Sequence, residues 1–154
     1  MEKSKINKAA DILYNCRINI KRIKQLPNDC TPKSIQEAYA IQDELAQKYL
    51  LEKKNLIIGK KIGCTNEAAK IQLNIKESFF GNMFSNNISK SNTIIEPSKY
   101  FSPFVEPEFS FLMKDELDFS KAPYSPNTVY ESILAVLPSI ELVDSRYEDW
   151  TSVG

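Results

Sequence analysis

An α+β fold, with helices first and strands after, is what this sequence predicts, on three observations. Apolar residues recur at helical spacing through about the first fifty positions. Beyond residue 55 that spacing gives way to short apolar runs punctuated by glycine and proline. The strand-like runs are mixed with short helical ones rather than alternating with long ones, which argues against a doubly wound parallel sheet. The 154 residues are enough for one domain with a buried core, read here as a helical arm over 1–54 and a β-rich part over 55–154.

Ile6, Ala9, Ala10, Leu13, Cys16, Ile20 and Ile23 share a helical stripe, and Pro27 lies past its end, so a first helix is expected over about residues 4–24. A second starts where Thr31 can cap and Pro32 suits the first turn, and its stripe is Ile35, Ala38, Tyr39, Gln42, Leu45, Ala46 and Tyr49. The two together predict an N-terminal helical hairpin. Leu56–Ile58, then Gly59, Lys60, Lys61, Ile62 and Gly63, read as a short strand, and Thr65 as the cap of a short helix through Ile71. The Asn- and Ser-rich stretch SFFGNMFSNNISKSN reads as an irregular loop, and 93–96 as a short strand closed by Pro97. Val105, Phe109, Phe111 and Met113 mark a longer strand, and 115–125 a loop. Ser125 and Pro126 open a helix carrying Val129, Ile133, Val136 and Leu137 on one face, after which Pro138 leads into the strand SIELVD.

Composition narrows the function. Twenty basic residues balance twenty acidic ones, so there is no basic excess to bind nucleic acid or an anionic membrane surface. No stretch is long and apolar enough for a membrane span, and the N-terminus lacks a signal peptide's apolar core. Histidine is absent, which removes Ser-His-Asp and Cys-His catalysis and His-ligated zinc. Three cysteines without C-x-x-C spacing suggest neither a disulfide framework nor a thiolate zinc site. The expectation is a cytoplasmic protein acting on a small molecule, with acid–base work falling to Lys, Asp, Glu, Tyr or Cys.

Within FVEPEFSF, Glu106 and Glu108 are two apart, so on a strand both carboxylates face the same way. At a separation of roughly 7 Å and an effective dielectric near 20 they repel by about 2 kcal/mol. On this pattern alone a solvated edge strand carrying two acids is the simpler explanation, and Pro107 suits an edge or bulge. Glu141 alters the balance, because it lies inside the apolar run Ile140–Val143, where an ionised carboxylate needs a partner or a metal. Arg146 or a lysine would serve as that partner. Three carboxylates without histidine suit a hard cation, namely magnesium, manganese or calcium. A strand that buries alternate residues would turn one of Lys60 and Lys61 inward, and alternation alone does not say which; two surface lysines before a turn are the alternative.

Four segments, AYAIQDELA at 38–46, GKKIGCTNEA at 59–68, VEPEFSF at 105–111 and IELVDSRYEDW at 140–150, together resemble the 2-keto-4-pentenoate hydratase family. This family of the fumarylacetoacetase superfold also contains 4-oxalocrotonate decarboxylases. The resemblance implies the first part of a mixed β-sheet in a β-roll. It implies that Glu106, Glu108 and Glu141 hold a divalent metal, Mg2+ or Mn2+, and that Lys61 lies in the active site, position 60 being usually tryptophan in the family. It further implies a metal-dependent hydro-lyase of aromatic-compound breakdown whose substrate is a small 2-hydroxydienoic or 2-oxo acid. Decarboxylation of a 4-oxalocrotonate-type acid is the alternative, because the metal chemistry is shared and Phe79 stands where many hydratases have an acid. Family members are longer, so the chain resembles an N-terminal fragment. A full-length homo-oligomer, or a complex with a related decarboxylase or hydratase, is implied. The fragment by itself is expected to expose unpaired strand edges, to aggregate or need a partner, and to show little lyase activity; an inactive or non-catalytic subunit is the remaining reading.

Overall fold

The computed structural model describes residues 1–51 and 55–152; residues 52–54, the last of the expected helical arm, and 153–154 lie outside the described residues. The chain divides into two compact units, Met1–Phe101 with Ser145–Gly154, and Ser102–Asp144.

In the first unit, helices α1 (Lys3–Ile18) and α2 (Ile35–Leu51) bury Ala9, Ala10 and Ile41 with Leu26 and Cys30 of their connection. Alanines at 9 and 10 let the helices approach closely, and Ile6, Leu13 and Leu45 close around them. Ion pairs fix the sense of the pair. The Met1 amine meets Glu37 at 2.7 Å, Lys3 meets Glu44 at 2.5 Å, and Lys48 meets Asp11 at 2.6 Å. The helices therefore run the same way rather than folding back as a hairpin, because the connection 19–34 is long enough to return the chain to the start of α1.

That connection also corrects the expected length of the first helix, which stops at Ile18 instead of about residue 24. Lys21 N–H donates to the Cys16 carbonyl at 2.8 Å and Ile20 N–H to Arg17 at 3.3 Å, the paired bonds of a Schellman stop. Ile20 occupies its left-handed position at φ 51°, a conformation that costs a β-branched residue more than it would glycine. Ile23 then forms a parallel bridge to Tyr147. The cap of α2 is Ser34, whose Oγ accepts from Glu37 N–H at 3.2 Å, while the Glu37 carboxylate accepts from Lys33 N–H at 2.7 Å. Thr31 donates instead to the Leu26 and Pro27 carbonyls, which holds the preceding turn.

Strands β1 (Ile57–Gly63) and β2 (Phe79–Phe84) pair antiparallel, with α3 (Glu67–Gln72) between them. Part of the stretch expected as an irregular loop is thus a strand. Gly81 and Asn82 break its apolar alternation and hide it, but Phe84 is buried against Ala46 and Tyr49 of α2 and anchors the strand. Asn66, rather than Thr65, caps α3 by accepting from Ala69 N–H at 2.9 Å. Residues 93–96 form no strand, for Thr93 bonds back to Lys90 through both its N–H and its hydroxyl, and Ile94 is 90% exposed.

The second unit is a ribbon of β3 (Phe104–Met113) and β4 (Ile133–Val143), joined through a long excursion that contains α4 (Pro126–Glu131). Ser125 caps α4 as expected, its Oγ accepting from Thr128 N–H at 3.1 Å. The helix ends at Glu131, however, and Ile133, Val136 and Leu137 belong to β4. Their spacing suits a helix, but the run Ile133–Leu137 is apolar at every position and partly β-branched, and cross-strand pairing with β3, Val136 opposite Phe111, decides for the strand.

Candidate metal centre

The register of the ribbon places Glu106 directly opposite Glu141, and Glu108 opposite Ser139. Residues 106, 108 and 110 therefore share one face with 141, 139 and 137, and the three glutamates meet on it. Each offers one carboxylate oxygen, and these oxygens lie within 4.8 Å of one another. Glu106 is exposed while Glu108 and Glu141 are half-buried. At an effective dielectric near 20, anions that close repel by about 3 kcal/mol per pair, a repulsion that positive charge beside them offsets. A set of three carboxylates without nitrogen or sulfur donors fits a hard divalent ion that takes oxygen ligands.

Two serines extend this face beyond the acids. Ser110 Oγ donates to Ser139 Oγ at 2.8 Å, and Ser139 Oγ donates to the Glu108 carbonyl at 3.3 Å. The hydroxyl pair ties β3 to β4 beside the carboxylates and keeps Glu108 in register. The spacing of Ser110, two past Glu108, was the available sequence signal for it. At the end of the ribbon the Asp144 carboxylate accepts from Ser102 N–H at 3.0 Å.

In the first unit, β1 turns its two lysines to opposite faces. Lys60 is exposed, donates to Asn82 Oδ1 at 2.5 Å and stands 5.2 Å from the centre of the Phe80 ring. Lys61 is half-buried and sits opposite Gly81, with Gly59 and Gly63 as its same-face neighbours along the strand. Phe79 faces Gly63, where an added Cβ would meet the ring at 2.7 Å. A side chain at 63 would thus displace Phe79.

A helical arm leading into antiparallel ribbons, one of them bearing three converging carboxylates, defines an α+β fold with a candidate hard-cation centre. The fold is that of 4-oxalocrotonate decarboxylase from Pseudomonas putida G7, matched at TM-score 0.85 and 25% identity over 99% of this chain and 58% of that one, in a complex with calcium and acetate. A second structure of that enzyme, with magnesium and adipate, matches at TM-score 0.86 and 24% identity. In sequence, the chain is 29% identical over 155 residues to the 2-hydroxypent-2,4-dienoate hydratase of Pseudomonas putida, covering 97% of this chain and 67% of the relative. It is 26% identical over 145 residues to a 4-oxalocrotonate decarboxylase of Pseudomonas sp. (strain CF600), covering 92% and 52%. No family model matches the chain. The chain resembles the 2-keto-4-pentenoate hydratases and 4-oxalocrotonate decarboxylases over nearly its whole length, while spanning between about half and two thirds of the length of these relatives. Among the described residues, no helix is long and apolar enough to cross a membrane.

Proposed function

We propose that this chain carries the metal centre of a lyase acting on small 2-oxo or 2-hydroxydienoic acids, a hydratase of the 2-keto-4-pentenoate type. The observation that carries the reading is the convergence of the Glu106, Glu108 and Glu141 oxygens within 4.8 Å. Glu106 and Glu141 bind the ion from facing strands and Glu108 closes the set from two residues along β3. The ion is Mg2+ or Mn2+; the relatives' calcium and magnesium complexes support a divalent metal in this class of fold. When bound, such an ion supplies Lewis-acid polarisation of a 2-oxo acid's oxygens. Lys61 Nζ provides positive charge for a substrate carboxylate and a site for proton transfer, which a half-buried ammonium can perform where an exposed one is held by solvent. In hydration, water adds at the distal alkene carbon and gives a 4-hydroxy-2-oxo acid.

The second reading, decarboxylation of a 4-oxalocrotonate-type acid, is favoured by Phe79 at a position where many hydratases carry an acid. Both readings place the protein in aromatic-compound breakdown in the cytoplasm, as a homo-oligomer or in complex with a related hydratase or decarboxylase.

Two experiments test this. Mg2+ or Mn2+ should raise the melting temperature of the chain, by about 5–10 °C at a hundredfold excess over Kd, and Glu141→Gln should abolish the shift. An unchanged shift in Glu141→Gln would remove the metal reading. Product analysis with 2-hydroxypenta-2,4-dienoate and with 4-oxalocrotonate separates the reactions: a 4-hydroxy-2-oxo acid from the first substrate supports hydration, and carbon dioxide from the second supports decarboxylation.

A further inference from the structure

The metal face of the ribbon draws its ligands from two strands, so the spacing of its carboxylates depends on how β3 and β4 lie against each other at that point. A two-stranded ribbon leaves that relation soft, since such ribbons twist more strongly than broad sheets and are marginal alone, and neither strand has a second partner among the described residues. Glu108 stands opposite Ser139 and Glu141 opposite Glu106, so the two half-buried carboxylates, Glu108 and Glu141, are neighbours along a diagonal of the ladder. Diagonal neighbours are ordinarily about 7–8 Å apart, against about 5 Å for directly opposed ones. Sliding or twisting one strand against the other changes that diagonal more than it changes the direct spacing.

The serine pair spans the same diagonal one step along. Ser110 stands opposite Leu137, two residues from Ser139, and its Oγ donates to Ser139 Oγ at 2.8 Å. A serine reaches a single bond beyond its Cβ, so a contact that close holds the diagonal at the short end of its range. Passing from this pair to Glu108 and Glu141 takes two residues back along β3 and two forward along β4, which leaves the direction of the diagonal unchanged. Ser139 Oγ donates in turn to the Glu108 carbonyl at 3.3 Å, so the tie ends on the main chain of a candidate ligand residue. Both serines are half-buried, where a hydrogen bond is stronger than one in open water.

From this geometry we infer that Ser110 and Ser139 are positioning residues for the metal centre, holding the Glu108–Glu141 diagonal at the span of a small cation and so favouring Mg2+ over Ca2+. The two ions differ in what they ask of a site. Magnesium takes oxygens at about 2.0–2.1 Å in near-octahedral order, whereas calcium takes them at about 2.3–2.6 Å and tolerates irregular geometry, so close, fixed spacing serves the first and a looser one suffices for the second. The serines touch neither ion nor substrate in this role; they act through the strand positions of the two glutamates. The inference rests on the proposal that Glu106, Glu108 and Glu141 hold a divalent cation, and it assigns what sets their spacing.

The test measures Mg2+ and Ca2+ affinity by calorimetry for wild type, Ser110→Ala, Ser139→Ala, the double alanine variant, Ser110→Thr and Glu141→Gln, together with each protein's melting temperature. Each alanine variant should bind Mg2+ about three- to tenfold more weakly, the worth of one hydrogen bond, while its Ca2+ affinity stays within about twofold of wild type, so that the preference for Mg2+ falls. The double variant should lose no more than Ser139→Ala, because the two hydroxyls share one bond. Ser110→Thr keeps the hydroxyl on a residue suited to strands and should keep the wild-type preference. An unchanged ratio of the two affinities in the alanine variants, or an equal loss for both ions that accompanies a fall in melting temperature, overturns the positioning role and leaves the metal centre standing where Glu141→Gln abolishes binding. A loss in Ser110→Thr as large as in Ser110→Ala overturns it too, since the hydroxyl would then not be the cause. Absence of binding in the wild type, or binding that survives Glu141→Gln, overturns the metal centre and the inference with it.

Discussion

Lys60 and Lys61 are adjacent, yet the pleat gives them different work. Lys60 is engaged at the surface by Asn82 and the Phe80 ring, so Lys60→Ala should cost no more than the fraction of a kcal/mol typical of exposed contacts. Lys61→Ala should lower turnover far more than Lys60→Ala while leaving the melting temperature similar, and equal kinetic effects would remove Lys61 from the mechanism. Tyr147 offers a residue-scale test of the core. Burial pushes its phenol up, with Cys16 and Cys30 adding to the effect. A raised value means the fold favours the neutral phenol, so its contribution is complete below the ordinary tyrosine range and is lost as pH rises through it. Urea unfolding at pH 7 and pH 10.5 should therefore show a smaller alkaline loss for Tyr147→Phe than for wild type. Identical losses would show that the phenol is not the group responsible.

Among the elements, the termini obey local chemistry that is visible in sequence once the right residue is chosen. Ser34 and Glu37 have the S-x-x-E spacing of a capping box, whereas Thr31 with Pro32 resembles a helix start and instead holds a turn. The end of α1 is less legible, because isoleucine is among the residues least expected at a left-handed stop and is accepted only where surrounding contacts over-determine the turn. Ile20→Gly should relieve about 1 kcal/mol, less the entropy glycine loses on folding, and raise the melting temperature by about 1–3 °C. A lower melting temperature would mean that the Ile20 side chain contributes more by packing than its backbone costs. β2 was hidden for a different reason, as Gly81 and Asn82 interrupt the alternation that marks a strand, and the strand is secured by partners distant in sequence, Phe84 against α2 and the ladder to β1.

At the scale of the whole molecule, the ribbon of β3 and β4 has two unlike faces. One carries the three glutamates and the serine pair. The other carries Val105, Pro107, Phe109 and Phe111 opposite Leu142, Ile140, Pro138 and Val136, and here Phe109 and Ile140 are each 74% exposed. A contiguous apolar face of this kind, on a ribbon whose strands have one partner each among the described residues, favours association. The chain should self-associate with rising concentration in light scattering, and Phe109→Ser with Ile140→Ser should reduce that association while leaving Mg2+ binding intact. Unchanged association in the double variant would clear this face of the role.

The order of helices before strands, the exclusion of histidine-based chemistry and the pairing of Glu106 with Glu108 on one face were determined by the sequence alone. Each depends on composition or on a periodicity of a few residues, and these are properties of the local chain. The arrival of Glu141 opposite Glu106 was an expectation in the sequence that only register could decide, since slipping β4 by one residue would turn Glu141 to the apolar face. The parallel sense of α1 and α2, the strand at Phe79–Phe84 and the reassignment of Val136 and Leu137 from helix to strand were likewise decided by tertiary structure. The energies that choose them come from contacts between segments tens of residues apart, and single-segment periodicity carries no information about which partner a segment will find.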